Sequence, residues 1–218
     1  MITIHIPCKS NTELLLKAIQ DLYFQVDKFY IINNTDNEQL ILSDPENKVE
    51  VITPIASLCY EQSLYASVKH SIKINSEYCL WAHTDIEVKP GAIQLLLEKY
   101  EEVKNSKWGV IYGQYDALCL FNPQYFINEH DKGDIFTSYF GDNNRYRRMN
   151  LLGYNIYNAD KVNPLVNHIG SHNIKFNSKE RSKNDLLFGL TGQLYQSIWG
   201  GMPGCETVTD PNPRGLYI

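Results

Sequence analysis

The chain has 218 residues, of which 43% are hydrophobic and 21% are charged, and its formal net charge is -5. This length suits one substantial α/β domain, and the acidic balance argues against broad, non-specific affinity for nucleic acid or anionic membranes. The five scattered cysteines indicate neither a disulfide framework nor a zinc site, so we expect a reduced, cytoplasmic protein. The first residues do not resemble a signal peptide, and no apolar window approaches the length of a membrane span.

The first ninety residues alternate between strand and helix patterns. Ile2, Ile4 and Ile6 predict a first strand that stops at Pro7. Apolar residues at helical spacing predict helices over 12–26 and 58–74, and further strands are predicted over 28–33, 49–55 and 78–82. This order is typical of a parallel sheet with right-handed crossovers.

The stretch 76–100 joins a buried strand to a helix through a short acidic loop. The apolar run 78–82 ends at His83, and a helix opens at Pro90 and Gly91. Ligands of open α/β sheets bind beyond the carboxyl ends of the strands, where His83, Asp85 and Glu87 would stand. A carboxylate two residues after an imidazole suits a divalent cation that bridges a diphosphate, although the spacing alone favours a solvated loop.

The second half is less regular. Strands are predicted over 108–113, 117–121 and 161–166, a basic helix ending at Gly153, and a last helix over 184–199. Asp116, between two of these strands, is expected to approach a sugar or an acceptor. The segment 200–218 is rich in glycine and proline and predicts either a hinged lid or a disordered terminus.

Five stretches, in this order along the chain, resemble a glycosyltransferase of the GT-A fold, closest to glycosyltransferase family 2. They are ITIHIPCKSN, YIINNTDN, HTDIEVKPGA, YFGDNNRYRRMNLLGY and VNHIGSH. The resemblance implies an α/β, Rossmann-like, mostly parallel central sheet flanked by helices in a single domain over 1–218. Within it, 1–90 would form the nucleotide-sugar-binding half, 91–199 the acceptor half and 200–218 an irregular tail.

The resemblance also implies roles for particular residues. Asp142 matches the family's catalytic base, and a divalent metal would be held by Asp85, His83 and His168. The implied nucleotide-sugar-binding residues are Pro7, Asn33, Asn34, Asp36, Thr84, Asp85 and Arg148. The chain departs from the family at His83, at Asn33 and Asn34, and at Gly141, where acidic residues are frequent.

Each of these roles has a structural alternative. Mixed nitrogen and oxygen ligands favour Mn²⁺ over Mg²⁺, yet a lone histidine is commonly a hydrogen-bonded structural residue. Asp142 is either a general base or a cap of the helix that follows it. Arg145, Arg147 and Arg148 would hold Asp142 ionised, grip a diphosphate or phosphorylated acceptor, or lie on the surface.

The function implied by the resemblance is metal-dependent, inverting transfer of a hexose or pentose from a nucleotide-sugar to an acceptor hydroxyl. The acceptor would be a glycan, a lipid-linked glycan or modified DNA. One alternative is a phage-type DNA glycosyltransferase acting on a hydroxylated base, favoured by the basic segment 175–183. A second is a non-catalytic sugar- or nucleotide-binding module of the same fold.

Overall fold

The computed structural model describes residues 1–9, 12–35, 44, 46–129, 136, 139–169 and 178–213. The strands in these ranges are β1 Thr3–Cys8, β2 Lys28–Asn33, β3 Val49–Ile52, β4 Cys79–Ala82, β5 Ile86–Val88, β6 Trp108–Gln114, β7 Leu118–Phe121, β8 Asn155–Asn158 and β9 Val166–His168. The helices are α1 Thr12–Leu22, α2 Tyr60–Lys73, α3 Ala92–Val103, α4 Pro123–Asn128, α5 Gly141–Leu151 and α6 Ser178–Trp199, with a 3₁₀-helix at Asn163–Leu165. No helix within the described ranges combines the length and apolar character needed to cross a membrane.

Seven strands form the central sheet in the order β3-β2-β1-β4-β7-β6-β8. The strands β1 to β4 run parallel to one another, β7 is antiparallel to both β4 and β6, and β8 is parallel to β6. The predicted α/β, mostly parallel sheet is therefore confirmed.

Helices cover both faces of this sheet because successive residues of a strand point to opposite sides. In β4, Leu80 packs with the core under α1 and α3, whereas Trp81 packs with the core under α2, α4 and α5. A third cluster joins α5 to α6 through Phe140, Tyr195 and Trp199. The sheet is thus buried on both faces, as its continuous apolar strands predicted.

The first strand does not stop at Pro7, as predicted, but continues to Cys8. The carbonyl of Cys8 accepts a hydrogen bond from Asn34 on the β2 side, so the nitrogen of Pro7 faces β4. Pairing between β1 and β4 extends over Ile4 and His5 alone. The missing N–H of Pro7 therefore interrupts no hydrogen bond of the ladder.

Two further predictions are corrected by the short strands. The segment after His83 is not a loop throughout, because β5 pairs antiparallel with β9. The strand predicted over 161–166 is instead a 3₁₀-helix followed by β9, since Pro164 lacks the N–H that a ladder requires. The edge strand β8 was not predicted, because its four residues are polar at both ends and alternate over too short a run.

Candidate active site

Polar residues follow the carboxyl ends of the parallel strands, which meet at one edge of the sheet. Asn33 ends β2, and His83 directly follows β4. The backbone N–H of His83 donates to the carbonyl of Ala117 at 2.9 Å, which fixes the start of the loop. Ligands of α/β sheets bind at this edge, so a site is expected here.

His83, Asp85 and His168 lie together beyond the end of β4. The pairing of β5 with β9 sets Ile86 opposite His168, and the N–H of Ile169 donates to the carbonyl of Asp85 at 2.9 Å. Oδ1 of Asp85 is 3.2 Å from Nε2 of His168 and 3.8 Å from Nδ1 of His83. The three potential ligand atoms lie within 4.8 Å of one another. Two imidazoles and one carboxylate at this spacing suit a divalent transition metal.

Burial raises the pKa of Asp85, but the hydrogen bond from His168 and the charges of both imidazoles outweigh this effect, so the pKa of Asp85 is lowered overall.

Asp116 extends this cluster on the other side of His83. Nε2 of His83 is 3.8 Å from Oδ2 of Asp116, to which the hydroxyl of Tyr60 donates at 3.1 Å. His83 therefore lies between two carboxylates, one of which Tyr60 holds in place.

A cavity of about 370 Å³ opens beside the cluster. Its lining combines acidic, imidazole and aromatic side chains, with neither Lys nor Arg among the described residues that form it. The lining residues are Tyr60, Glu61, His83, Asp85, Tyr115, Asp116, Tyr139, Phe140, Gly141, Asp142, Asn143, His168 and Phe188. The structure thus brings five residues that were predicted to serve the site, His83, Asp85, Asp116, Asp142 and His168, to one cavity.

Asp142 lies in the first turn of α5, where Phe140 takes the N-cap position. Burial and the charge of Asp116 raise the pKa of Asp142, and a hydrogen bond with Tyr115 and backbone hydrogen bonds oppose this only in part. The hydroxyl of Tyr115 also accepts from Nδ2 of Asn143 at 3.3 Å. A carboxylate with a raised pKa is a better proton acceptor near neutral pH than an ordinary aspartate.

A buried ion pair stands next to Asp142. Glu61 of α2 pairs with Arg145 of α5, and their side chains are 1% and 2% exposed. A Cβ at Gly141 would collide with the carboxylate of Glu61. Glycine at this position therefore permits the close approach of α2 to the first turn of α5.

Two aromatic residues of the cavity have left-handed backbone conformations. The φ angle is 42° at Tyr115 and 65° at Phe140. Bulky residues rarely adopt such angles, and each residue held in this conformation costs about 1–3 kcal/mol of folding free energy. The other non-glycine residues with positive φ in the described ranges are Asn47 and Asn75, a residue type that tolerates this conformation. Backbone strain is thus borne at the cavity.

The asparagines predicted to bind the nucleotide-sugar do not line this cavity. Asn33 is 1% exposed, and its Nδ2 donates to Oγ1 of Thr53 at 3.3 Å. Asn34 is 4% exposed, donates to Oγ of Ser63 at 2.9 Å and accepts from the N–H of Leu58 at 3.1 Å. Both side chains hold the backbone at the end of β2.

The other predicted contacts lie elsewhere. Pro7 and Thr84 are partly exposed near the strand ends, and Asp36 lies outside the described residues. Arg148 is 1% exposed and donates to the carbonyl of Pro211 at 3.1 Å and to Oδ1 of Asn212 at 3.0 Å. The structure brings Arg148 to the C-terminal segment and not to the cavity.

Sequence reasoning missed Glu61, Tyr60 and the aromatic side of the cavity. The available signal for Glu61 was its helical spacing with Leu64 and Val68, which are fully buried. A carboxylate on an apolar helix face requires a buried partner. No comparable pattern marks Phe188, because its neighbours on α6 are apolar as well.

Comparison with known proteins gives structural matches alone. No protein-family model matches the chain, and no curated protein matches it. The crystal structure of S. aureus TarS residues 1–349 matches with a TM-score of 0.57 and 10% identity over 72% of this chain. The same TarS segment in complex with UDP matches with a TM-score of 0.55 and 8% identity over 73% of this chain.

A third structure, from Desulfovibrio desulfuricans G20, is assigned as a nucleotide-diphospho-sugar transferase. It matches with a TM-score of 0.50 and 9% identity over 72% of this chain and 78% of its own. This chain covers 58% of the TarS chain. At these identities the matches show the fold, and they confirm the predicted GT-A-like architecture.

Proposed function

We propose that the protein is a metal-dependent glycosyltransferase that moves a sugar from a nucleotide-sugar donor to an acceptor hydroxyl. One observation carries the proposal: His83, Asp85 and His168 share a cavity with Asp142 at the carboxyl edge of a GT-A-like sheet. A ligand set for a diphosphate-bound ion and a carboxylate with a raised pKa are what such a transfer requires in one place.

The donor is proposed to lie across the ends of β1, β2 and β4. UDP in the TarS complex supports a nucleoside diphosphate as the leaving group. Contacts from Pro7, Asn33, Asn34, Asp36 and Thr84 to the donor remain predictions. We leave Arg148 out of the donor site, because its guanidinium is bonded to the C-terminal segment.

A divalent metal fits the residues present, and His83, Asp85 and His168 would hold it. Their mixed nitrogen and oxygen donors suit Mn²⁺ better than Mg²⁺, which prefers six oxygens. When bound, the ion supplies neutralisation of the charge that develops on the diphosphate. Asp116 lies beside His83 and would orient that imidazole.

The proposed reaction is a single displacement. The acceptor oxygen forms a bond to the anomeric carbon, and its proton passes to Asp142. The bond from that carbon to the diphosphate oxygen breaks, and its electron pair leaves with the nucleoside diphosphate. Attack opposite the leaving group inverts the anomeric centre. The raised pKa of Asp142 supports its role as the base.

The test is incubation with MnCl₂ and a panel of nucleotide-sugars, with release of the nucleoside diphosphate as the readout. We expect slow donor hydrolysis that EDTA stops. Asp85→Ala should abolish both this release and the binding of Mn²⁺ measured by electron paramagnetic resonance, whereas the exposed control Asp160→Ala should change neither. Unchanged turnover in Asp85→Ala would falsify the metal assignment, and donor binding without turnover would instead establish a non-catalytic module.

A further inference from the structure

The cavity has a continuous aromatic side. The rings of Tyr139 and Phe188 lie 5.4 Å apart between centroids, and those of Phe140 and Phe188 lie 5.1 Å apart. Phe140 also contacts Tyr195, which is fully buried and packs against Trp199. Phe188 is 52% exposed, so its ring is open to solvent above the buried rings of Phe140 and Tyr195.

The same cavity offers acceptors of hydrogen bonds, and neither Lys nor Arg is among the described residues that line it. Asp116 and Asp142 line it, and burial and the charge of Asp116 already disfavour ionisation of Asp142. Glu61 also lines the cavity and is fully buried, and Arg145 balances its charge. The proposed metal ion would be matched by the diphosphate of the donor, so a negative charge brought by the acceptor would meet the carboxylates of Asp116 and Asp142 and be repelled on this side.

The arginines of α5 do not relieve this repulsion. Arg145 is buried against Glu61, and Nη2 of Arg147 donates to the carbonyl of Val208 at 2.9 Å. Arg148 is bonded to Pro211 and Asn212. Each guanidinium of α5 is thus directed at the protein, and none lines the described cavity.

We propose that the acceptor bound in this cavity is an uncharged carbohydrate, whose apolar ring face packs on Tyr139, Phe140 and Phe188 while its hydroxyl groups donate to Asp116 and Asp142. Aromatic rings give contact area to an apolar sugar face, and carboxylates accept from hydroxyl groups. A phosphorylated acceptor, including duplex DNA, places its charge where the cavity repels it. This inference rests on the proposed transferase function and specifies its substrate class.

The experiment compares neutral acceptors with phosphorylated ones. Wild-type protein, MnCl₂ and a donor that it hydrolyses are mixed with neutral methyl glycosides, with their 6-phosphates, or with duplex DNA containing hydroxymethylcytosine. We expect neutral glycosides to receive the sugar and to accelerate release of the nucleoside diphosphate, and the phosphates and DNA to do neither. Preferred transfer to DNA or to a sugar phosphate would overturn the inference, as would failure of every neutral glycoside.

Variants of α6 locate the acceptor. Phe188→Ala should raise the KM for the glycoside about 3- to 10-fold, because it removes one aromatic contact of an exposed residue. Leu190→Ala is the matched control, since Leu190 is 53% exposed on the same helix and does not line the cavity. Equal effects of the two substitutions would contradict the assignment.

A binding measurement separates this inference from the proposed function. Saturation-transfer NMR with the methyl glycosides needs no turnover and should show contact that Phe188→Ala weakens and Leu190→Ala keeps. Glycoside binding without donor hydrolysis would overturn the transferase alone. Donor hydrolysis without glycoside binding would overturn the carbohydrate acceptor alone.

Discussion

The polar residues at the end of β2 and those of the cavity wall have opposite effects on the stability of the fold. Asn33 and Asn34 are buried, and their side-chain amides form hydrogen bonds with neighbouring side chains and backbone. At the cavity, Asp116 raises the pKa of Asp142, and Tyr115 and Phe140 have positive φ angles. The first arrangement stabilises the fold, whereas the second costs free energy of folding. We therefore expect the parallel side, meaning β1 to β4 and the ends of these strands, to contribute mainly to stability, and the cavity wall to contribute mainly to the proposed transfer.

The largest expected effect comes from Asp142→Asn, which should lower the transfer rate and raise the thermal stability. The amide cannot accept the proton, so transfer should fall roughly 10²–10⁴-fold. The folded-state pKa of Asp142 is raised, so its contribution to stability is present at low pH and is lost as the pH rises through that pKa. In metal-free buffer the variant should therefore melt at a higher temperature than wild type at pH 7.

The control for this separation is Asp160→Asn, at an exposed position away from the cavity. It should leave both the transfer rate and the melting temperature near the wild-type values. A melting temperature of Asp142→Asn below that of wild type at pH 7 would show that the carboxylate stabilises the fold, and the contrast between the two regions would then be lost.

Glu61→Gln is expected to have the next largest effect, on stability. Arg145 would keep a buried charge without its counterion, which costs about 3–5 kcal/mol of unfolding free energy. The matched pair on the parallel side is Lys28 and Glu50, whose side chains are 37% and 46% exposed, so Glu50→Gln should cost less than about 1 kcal/mol. Urea unfolding measures both, and equal losses would contradict the difference between the pairs.

The parallel side could be predicted from sequence because its signals are local. Strands β1 to β4 and helices α2 and α3 follow from apolar periodicity, and His83 and Asp85 follow from the end of a buried run. The predicted positions agree with the structure except at the termini, as at Pro7. Here the local sequence patterns agree with the strands and helices that form.

The cavity could be predicted only in part because its contacts are not local. His168 reaches Asp85 through pairing of β5 with β9, and strands of three residues carry too little alternation to reveal a register. Nothing in the sequence near Tyr115 predicts a left-handed aromatic residue, since such residues avoid that conformation. The contacts across the cavity therefore could not be predicted from the sequence and became visible only in the structure.

Low pH should lower the free energy of unfolding through His5, a buried histidine of β1 on the parallel side. Nδ1 of His5 lies 3.1 Å from the carbonyl of Leu80, and Nε2 lies 3.0 Å from Nδ1 of His70. Burial lowers the pKa of His5 to about 3, although the bond to Leu80 opposes this. Below pH 6.5 the unfolded chain takes up a proton that folded His5 does not, so stability should fall by about 1 kcal/mol for each pH unit down to about pH 3.

Urea unfolding of wild type and His5→Gln over pH 4 to 7 measures this effect. The glutamine does not titrate, so the variant should lose less stability than wild type as the pH falls, whatever its stability at pH 7. An identical slope in both proteins would assign the acid sensitivity to other groups.

Asn34→Ala gives the smallest effect and tests whether the end of β2 only holds the fold. The substitution removes the hydrogen bonds to Ser63 and from Leu58, which should cost about 1–3 kcal/mol of unfolding free energy. Ser57→Ala is the control, because it removes one bond, from Oγ of Ser57 to the carbonyl of Asn34 at 3.1 Å, and should cost about 1 kcal/mol. Donor KM is measured for both variants at a temperature where each is folded. If the amide of Asn34 holds the backbone alone, Asn34→Ala changes the donor KM no more than Ser57→Ala does. A rise confined to Asn34→Ala would give this side chain a direct part in nucleoside binding, and the parallel side would then share in recognition of the substrate.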